Sequence, residues 1–245
     1  EDFNLPISAK DISEVVKVGT SLDEMFAVGR VSQRTINCCS SYRLFIVNDL
    51  IEYKSKNKIK GIDNDFAYPE WYERVRPKAD ELKAQRERDW NDPVRFSVVI
   101  PVFETPDNYL REMLDSLLNQ TYPYFEICIA DGSRAEKDKE KLLREYSEKD
   151  SRVRYRILGE NLGIAGNTNA ALDMAEGDFV VLCDHDDVVP ETALYEFADA
   201  IAKDPECDCI YSDEDKLDVD GGGIFDPHFK PDFNIDLLRS VNYIC

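Results

Sequence analysis

The chain is predicted to be an α/β protein: a mainly parallel sheet with flanking helices, preceded by a small N-terminal α+β region. Three observations predict it. From residue 96 onward, short apolar runs alternate with amphipathic stretches of helical length. A polar cluster follows each apolar run. No run of ~20 apolar residues is present, so no membrane-spanning helix is expected. Strands alternating with helices in this way imply right-handed βαβ units.

Residues 1–68 form a first region of unassigned role. Ser21-Leu22-Asp23-Glu24 has the capping-box spacing that opens a helix, and Tyr42 to Val47 reads as a strand. Lys54, Lys56, Lys58 and Lys60 alternate, which solvates a loop or gives a strand one basic face. Residues 69–95 read as a connector of two helical pieces, opened by Pro69 and Pro77. In the first, Trp71, Tyr72 and Val75 are expected to pack on the main domain; the second, Ala79 to Trp90, is a charged surface piece.

Residues 96–245 form the third region. Phe96 to Ile100 is the first strand, stopped by Pro101, and a helix opens at Thr105-Pro106 with Leu110, Met113, Leu114, Leu117 and Leu118 on one face. Phe125 to Ala130 is the second strand, followed by a helix over 135–149 with Leu142, Leu143 and Tyr146 inward. Val153 to Leu158 is the third, followed by the turn Asn161-Leu162-Gly163 and an Ala-rich helix over 164–175. Phe179 to Cys183 is the fourth, read as buried because it is continuously apolar. A helix over 190–203 and a short fifth strand, Cys209 to Tyr211, complete the pattern.

Composition excludes several functions. The 245 residues carry 50 acids and 30 bases, net −20. Residues 1–95 hold 17 acids and 16 bases, and residues 96–245 hold 33 and 14. No basic footprint for nucleic acid exists. The first residues, Glu1-Asp2-Phe3, read as neither a signal peptide nor a basic targeting segment. Seven cysteines without C-x-x-C spacing fit a reducing compartment, with Cys128 and Cys183 as small core residues. Cys207-x-Cys209 lacks the second ligand pair of a zinc site.

The chemistry gathers after the fourth strand, at Asp184-His185-Asp186-Asp187. Alone, this would read as a solvated acidic loop. At the carboxyl end of a strand, where open α/β sheets bind ligands, the clustered carboxylates suit Mg²⁺ or Mn²⁺. Further polar clusters succeed the other strands: Glu104, Asp131 to Ser133, Asn161, and Ser212 to Asp215. Right-handed crossovers would bring all five to one crevice. No G-x-G-x-x-G and no G-x-x-x-x-G-K-[ST] is present, which disfavours dinucleotide and phosphate-loop enzymes.

Six stretches then carry a resemblance: S-V-V-I-P-V-F-E at 97–104, S-L-L-N-Q-T-Y-P at 116–123, I-A-D-G-S at 129–133, N-L-G-I-A-G-N-T-N-A-A-L at 161–172, D-H-D-D at 184–187 and Y-S-D-E-D-K at 211–216. In order and spacing the chain resembles the family-2 glycosyltransferases with the Rossmann-like GT-A fold. Phe229-Lys230-Pro231-Asp232 and Asn242 to Cys245 resemble the branch that builds bacterial capsules, O-antigens and wall polysaccharides.

The resemblance implies transfer of a sugar from a UDP- or dTDP-linked donor to a glycan or lipid-linked acceptor, usually with inversion. It also implies a place in the cytoplasm, at the inner face of the membrane, and a Mn²⁺ or Mg²⁺ cofactor. Pro101, Phe103 and Glu104 would line the nucleoside pocket, although strand termination and core packing equally explain Pro101 and Phe103. Asp131, beside Ser133, would accept a hydrogen bond from the base; a plain Asp-Gly-Ser turn is the other reading. Asn161, Gly163 and Asn169 match an N-x-G-x-x-x-A-R-N segment of the donor site, with Thr168 in the arginine position. Asp184 would approach the ribose or the metal shell, His185 the diphosphate, and Asp186 would bind the metal. The general base is expected beyond Cys245, so that residues 1–245 alone would transfer weakly or not at all. Asp213, Glu214 and Asp215 could substitute for it, but read more simply as structural. The rival functions are a nucleotidyltransferase and a non-catalytic acidic module that binds a metal or a partner.

Overall fold

The computed structural model describes residues 68–135, 139–218 and 223–244. The expected capping box at 21–24, the strand at 42–47 and the alternating lysines lie outside these residues. The chain divides into two compact units, one of residues 77–208, and one whose described part is 68–76 with 209–244.

The larger unit holds helix α2 (Ala79–Glu87), strand β1 (Phe96–Val102), α3 (Asp107–Leu118), β2 (Phe125–Asp131), α4 (Glu140–Lys149), β3 (Val153–Ile157), α5 (Gly163–Leu172), β4 (Phe179–Leu182) and α6 (Ala193–Lys203). The four strands form one parallel sheet in the order β3-β2-β1-β4. Connections of helical length lie between them, so the mixed α/β class expected from the sequence is found.

Period-two alternation sorts the side chains to the two faces. On one face Val99, Cys128 and Ala130 meet Ala170, Ala171 and Met174, which lie along α5 and just past it at helical spacing. Small residues there let the helix lie close to the strands. On the other face Val98, Ile100, Ile127 and Ile129 are fully buried. Phe96 on that face touches Phe197 of α6, ring centres 6.5 Å apart. α3 buries Leu110, Met113, Leu114 and Leu117 of its stripe, with Leu118 only half-buried, and α4 buries Leu142, Leu143 and Tyr146 as read.

Glu126 is a carboxylate 1% exposed, on the face that carries α5. It accepts from the Ser97 hydroxyl at 2.8 Å, the Glu176 amide at 2.6 Å, Arg95 at 3.0 Å and Arg154 at 2.9 Å. Burial alone would push its carboxyl up. The Glu176 amide, the Ser97 hydroxyl and the two guanidinium groups outweigh that, holding it below the usual range. This cluster clamps the amino ends of β1 to β3, opposite the ends where the polar loops emerge.

Three sequence expectations are corrected. First, β1 does not stop at Ile100 but continues through Pro101 to Val102, paired with Ala130 and Asp131 of β2. Val99 accepts from the Cys183 amide at 3.3 Å, so its polar groups face β4. Pro101, two residues on, faces the same side, where β4 has already ended at Leu182. The missing N–H of Pro101 thus costs no ladder bond. Second, β4 is, among the described residues, the outer strand of the sheet rather than a buried one, with Val180 45% and Leu182 69% exposed. An uninterrupted apolar run does not distinguish burial on both faces from burial on one. Third, Cys209 to Tyr211 form no strand.

Instead, the second unit holds an antiparallel hairpin of β5 (Glu214–Leu217) and β6 (Ile224–His228), with α1 (Tyr68–Val75) and α7 (Ile235–Ser240). The Tyr211 hydroxyl donates to the Pro231 carbonyl at 2.5 Å. Trp71, Tyr72 and Val75 pack with Ile224 and Phe229, both within residues 96–245, as expected. The Tyr68 hydroxyl donates to Asp215 at 2.6 Å; burial, reinforced by that carboxylate, pushes its pKa up. Asn234 caps α7, accepting from the Asp236 and Leu237 amides at 3.0 Å each.

Candidate functional site

The candidate site is built from the loops at the carboxyl ends of the parallel strands. β1, β2 and β3 are tied together at those ends: the Gly132 amide donates to the Val102 carbonyl at 2.9 Å and the Leu158 amide to the Asp131 carbonyl at 2.8 Å. The loops after β1 to β4 therefore leave one edge of one sheet. Four of the five expected polar clusters are brought there, Glu104, Asp131 to Ser133, Asn161 and Asp184 to Asp187. The fifth, Ser212 to Asp215, belongs to the other unit.

After β1, Phe103 is exposed and Glu104 takes a left-handed backbone, φ 49°. Non-glycine residues rarely adopt that conformation. Two contacts hold it: the Glu104 amide donates to the Ser133 hydroxyl at 2.7 Å, and its carboxylate accepts from Arg134. Beneath them the Thr105 hydroxyl is buried without a hydrogen bond.

After β2, Asp131 and Ser133 are fully buried. Asp131 accepts from the Ser133 amide at 2.9 Å through one oxygen and from the Lys139 amide at 2.7 Å through the other. Its carboxylate holds the Ser133 and Lys139 amides while each oxygen keeps one further lone pair.

After β3, Asn161 bends the chain into α5. Its side-chain oxygen accepts from the Gly163 amide at 2.9 Å and from the Asn167 amide group at 3.1 Å. Gly163 has φ 75°, which its lack of a Cβ permits. Asn169 is exposed, and Thr168, in the place of the family's arginine, spends its hydroxyl on the Ile164 carbonyl at 2.7 Å. No guanidinium stands at that point to meet a diphosphate.

After β4, Asp184, Asp186 and Asp187 are exposed within four positions, in a turn whose Asp187 amide reaches the Asp184 carbonyl at 3.4 Å. His185 lies between them, its Nδ1 3.4 Å from the Asp186 carboxylate without a hydrogen bond. The neighbouring thiol reports the local field: burial, then the charges of Asp187, Asp184 and Asp186, push Cys183 up to about 12. Such a field favours a cation. Among the described residues, no three His, Cys, Asp or Glu side chains converge as a closed cage. The donor set suits a hard divalent ion that keeps waters and takes ligand oxygens.

Two residues in this constellation are not singled out by the sequence as site residues. Arg134, paired with Glu104, is an ordinary loop arginine in the sequence. Asn167 is buried at 2% exposed and binds the Asn161 turn from both ends of its amide, also accepting from the Leu162 amide at 3.1 Å. It was legible in one respect: Asn167, Ala170, Ala171 and Met174 share one helical stripe, so a polar side chain is carried into an apolar face. The acids of the second unit are engaged within it. Asp213 accepts from the Lys230 amide at 2.7 Å, and Glu214 from the buried Lys230 ammonium at 2.8 Å. These contacts support their structural reading.

Several known proteins are similar to this chain. The model of Glycosyl transferase family 2 matches residues 97–242. An uncharacterized protein of Sinorhizobium fredii, y4gI, is 37% identical over 174 residues, 71% of this chain and 19% of that protein. The O-antigen biosynthesis protein RfbC of Myxococcus xanthus is 36% identical over 149 residues, 61% of this chain and 12% of that one. This chain therefore spans less than a fifth of the length of either. A crystal structure of S. aureus TarS 1-349 aligns with TM-score 0.40 and 29% identity, covering 44% of this chain and 32% of that one.

Proposed function

This chain belongs to glycosyl transferase family 2, and from that premise we propose that it carries the donor-binding half of a transferase. The enzyme takes a sugar from a UDP- or dTDP-linked donor, with inversion and with a divalent metal, and passes it to a glycan or lipid-linked acceptor. The observation that carries this reading is the single sheet edge at which four polar loops emerge, with three exposed carboxylates just past β4. The name of RfbC, an O-antigen biosynthesis protein, supports a polysaccharide setting, and we place the enzyme in the cytoplasm, at the inner face of a membrane. Among the described residues no helix is long and apolar enough to cross a membrane.

The roles are divided among the loops. Pro101, Phe103 and Glu104 line the nucleoside pocket, with the exposed Phe103 ring offering a stacking surface. Asp131 takes the N–H of the base through its remaining lone pairs, and Ser133 fixes the loop beside it. Asn161, Gly163 and Asn169 border the diphosphate, with His185 across from them. Asp186, with Asp184 near the ribose or in the metal shell, would hold Mn²⁺ or Mg²⁺. A cation there stabilises the charge that develops on the leaving diphosphate. It also offsets the acidic field that otherwise repels the donor, a task left to it by Thr168.

Thermal stability with UDP, dTDP, GDP and ADP, each with and without Mn²⁺, tests the reading. A ligand at 100 times its dissociation constant stabilises by ~2.7 kcal/mol. The expected result is stabilisation by a pyrimidine diphosphate that needs Mn²⁺ and disappears in Asp186→Ala. A response to Mn²⁺ or Ca²⁺ indifferent to every nucleotide would favour an acidic metal-binding module instead.

A further inference from the structure

We infer that Asn167 is a positioning residue for the nucleotide-diphosphate site, locking the loop after β3 to the loop after β2. The inference rests on the donor-site reading above. Asn167 is buried and lies outside the expected donor-binding set. Its amide is engaged at both ends, the nitrogen donating to Asn161 at 3.1 Å and the oxygen accepting from the Leu162 amide at 3.1 Å. The same group lies against Gly132, between Asp131 and Ser133. A Cβ placed on Gly132 would stand 2.6 Å from the Asn167 amide nitrogen and 2.8 Å from its oxygen.

That approach is too close for any side chain at 132 unless Asn167 moves. Gly132 is thus required by contact rather than by turn geometry. One side chain reads the positions of two loops at once: it sets the Asn161 turn through hydrogen bonds and the Asp131 turn through packing. Both ends of its amide are spent on the Asn161 turn. Its effect passes through Asn161 and the 131–133 backbone.

The test is equilibrium binding of UDP with Mn²⁺ to folded protein, with near-ultraviolet circular dichroism to establish folding. Asn167→Ala frees the Asn161 turn, and Gly132→Ala displaces the Asn167 amide. Each should weaken UDP by about tenfold, the lower end for loss of a supporting hydrogen-bond partner. Asn167→Asp keeps the acceptor for Leu162 and should lose less. In the double variant Gly132→Ala/Asn167→Ala the clash is gone, and binding should be no weaker than in Asn167→Ala alone. Gly177→Ala is the control for destabilisation without loop displacement: its Cβ would meet Arg95 and Ser97 at the opposite end of the sheet. It should bind UDP as the wild type does. Wild-type affinity in folded Asn167→Ala and Gly132→Ala, or strictly additive losses in the double variant, would overturn the inference and leave the donor site standing. Absence of binding of UDP, dTDP, GDP and ADP to the wild type would overturn both.

Discussion

Replacing Glu126 tests the account of what holds the sheet. The carboxylate is buried and has four donors: a hydroxyl, a backbone amide and two guanidinium groups. Arg95 and Arg154 are partly exposed, at 46% and 37%, and can rehydrate when the carboxylate is removed. The Ser97 hydroxyl and the Glu176 amide are less free to do so. At ~1–3 kcal/mol for each buried group left unmade, Glu126→Ala should cost about 3 kcal/mol, after discounting the arginines. Glu126→Gln keeps the shape but turns an amide nitrogen toward donors, for about 2 kcal/mol on the same scale. Urea unfolding measures this, and at a slope of ~2 kcal/mol per molar the midpoint of the Ala variant falls by about 1.5 M. The pH dependence is a second readout. Because the folded carboxyl lies below its unfolded value of ~4.3, its stabilisation is full above that value. It is lost as pH falls through the lower folded one. The gap between wild type and Glu126→Gln should hold from neutral pH to above ~4.3 and then close. A Glu126→Gln midpoint equal to wild type at pH 7, or a gap that widens in acid, would refute the reasoning.

Single positions elsewhere give further outcomes. Gly163→Ala should lose about 1 kcal/mol from its positive φ alone, since a Cβ there meets nothing within 4 Å; a neutral result by urea unfolding would discard that strain. Gly177→Ala should lose ~2–3 kcal/mol by overpacking, because its Cβ would stand 2.6 Å from the Arg95 carbonyl; a shift under half a kilocalorie would show a backbone that yields. Pro101→Ala should change stability by under ~1 kcal/mol, as no strand among the described residues faces its nitrogen, and a large loss would place a partner on that side. Cys128, pushed up to about 11 by burial, should resist alkylation at pH 8 while exposed Cys209 reacts, as peptide mass mapping would record.

Most of the sheet was legible because its signals are local. The runs at 96, 125 and 179 are largely apolar, that at 153 alternates apolar residues with arginines, and the intervening helices carry stripes at a 3.6 period, so their existence and order needed no tertiary information. Pro101 misled because proline stops a strand only where a partner needs its N–H, and partner lengths are not written locally. The edge position of β4 was hidden for a related reason: strand order depends on crossovers, and the same five apolar residues serve a central or an outer strand. Cys209 to Tyr211 had strand propensity but too few residues to outweigh the β5–β6 hairpin. Within the site, the motif residues were visible as polar clusters after strands. Asn167 stood out only as a polar residue on an apolar stripe, and its role did not, because its partners are a turn five residues back and a glycine on another loop.

The strand order also sets a sequence of assembly. β1, β2 and β3 add one beside the next, each through a single helical connection, so their contacts close short loops. β4 then returns across the whole sheet to pair with β1, roughly 80 residues away in the chain. Its pairing depends on β1 being in place already, and among the described residues it has a neighbour on one side only. The acidic turn rides on this last-placed strand. Partial opening of the unit should therefore release the carboxylates at 184–187 before it disturbs the Asp131 turn. A divalent ion with donor, bridging the two, would act as the fastening that delays that opening, slowing hydrogen exchange in β4 more than in β2.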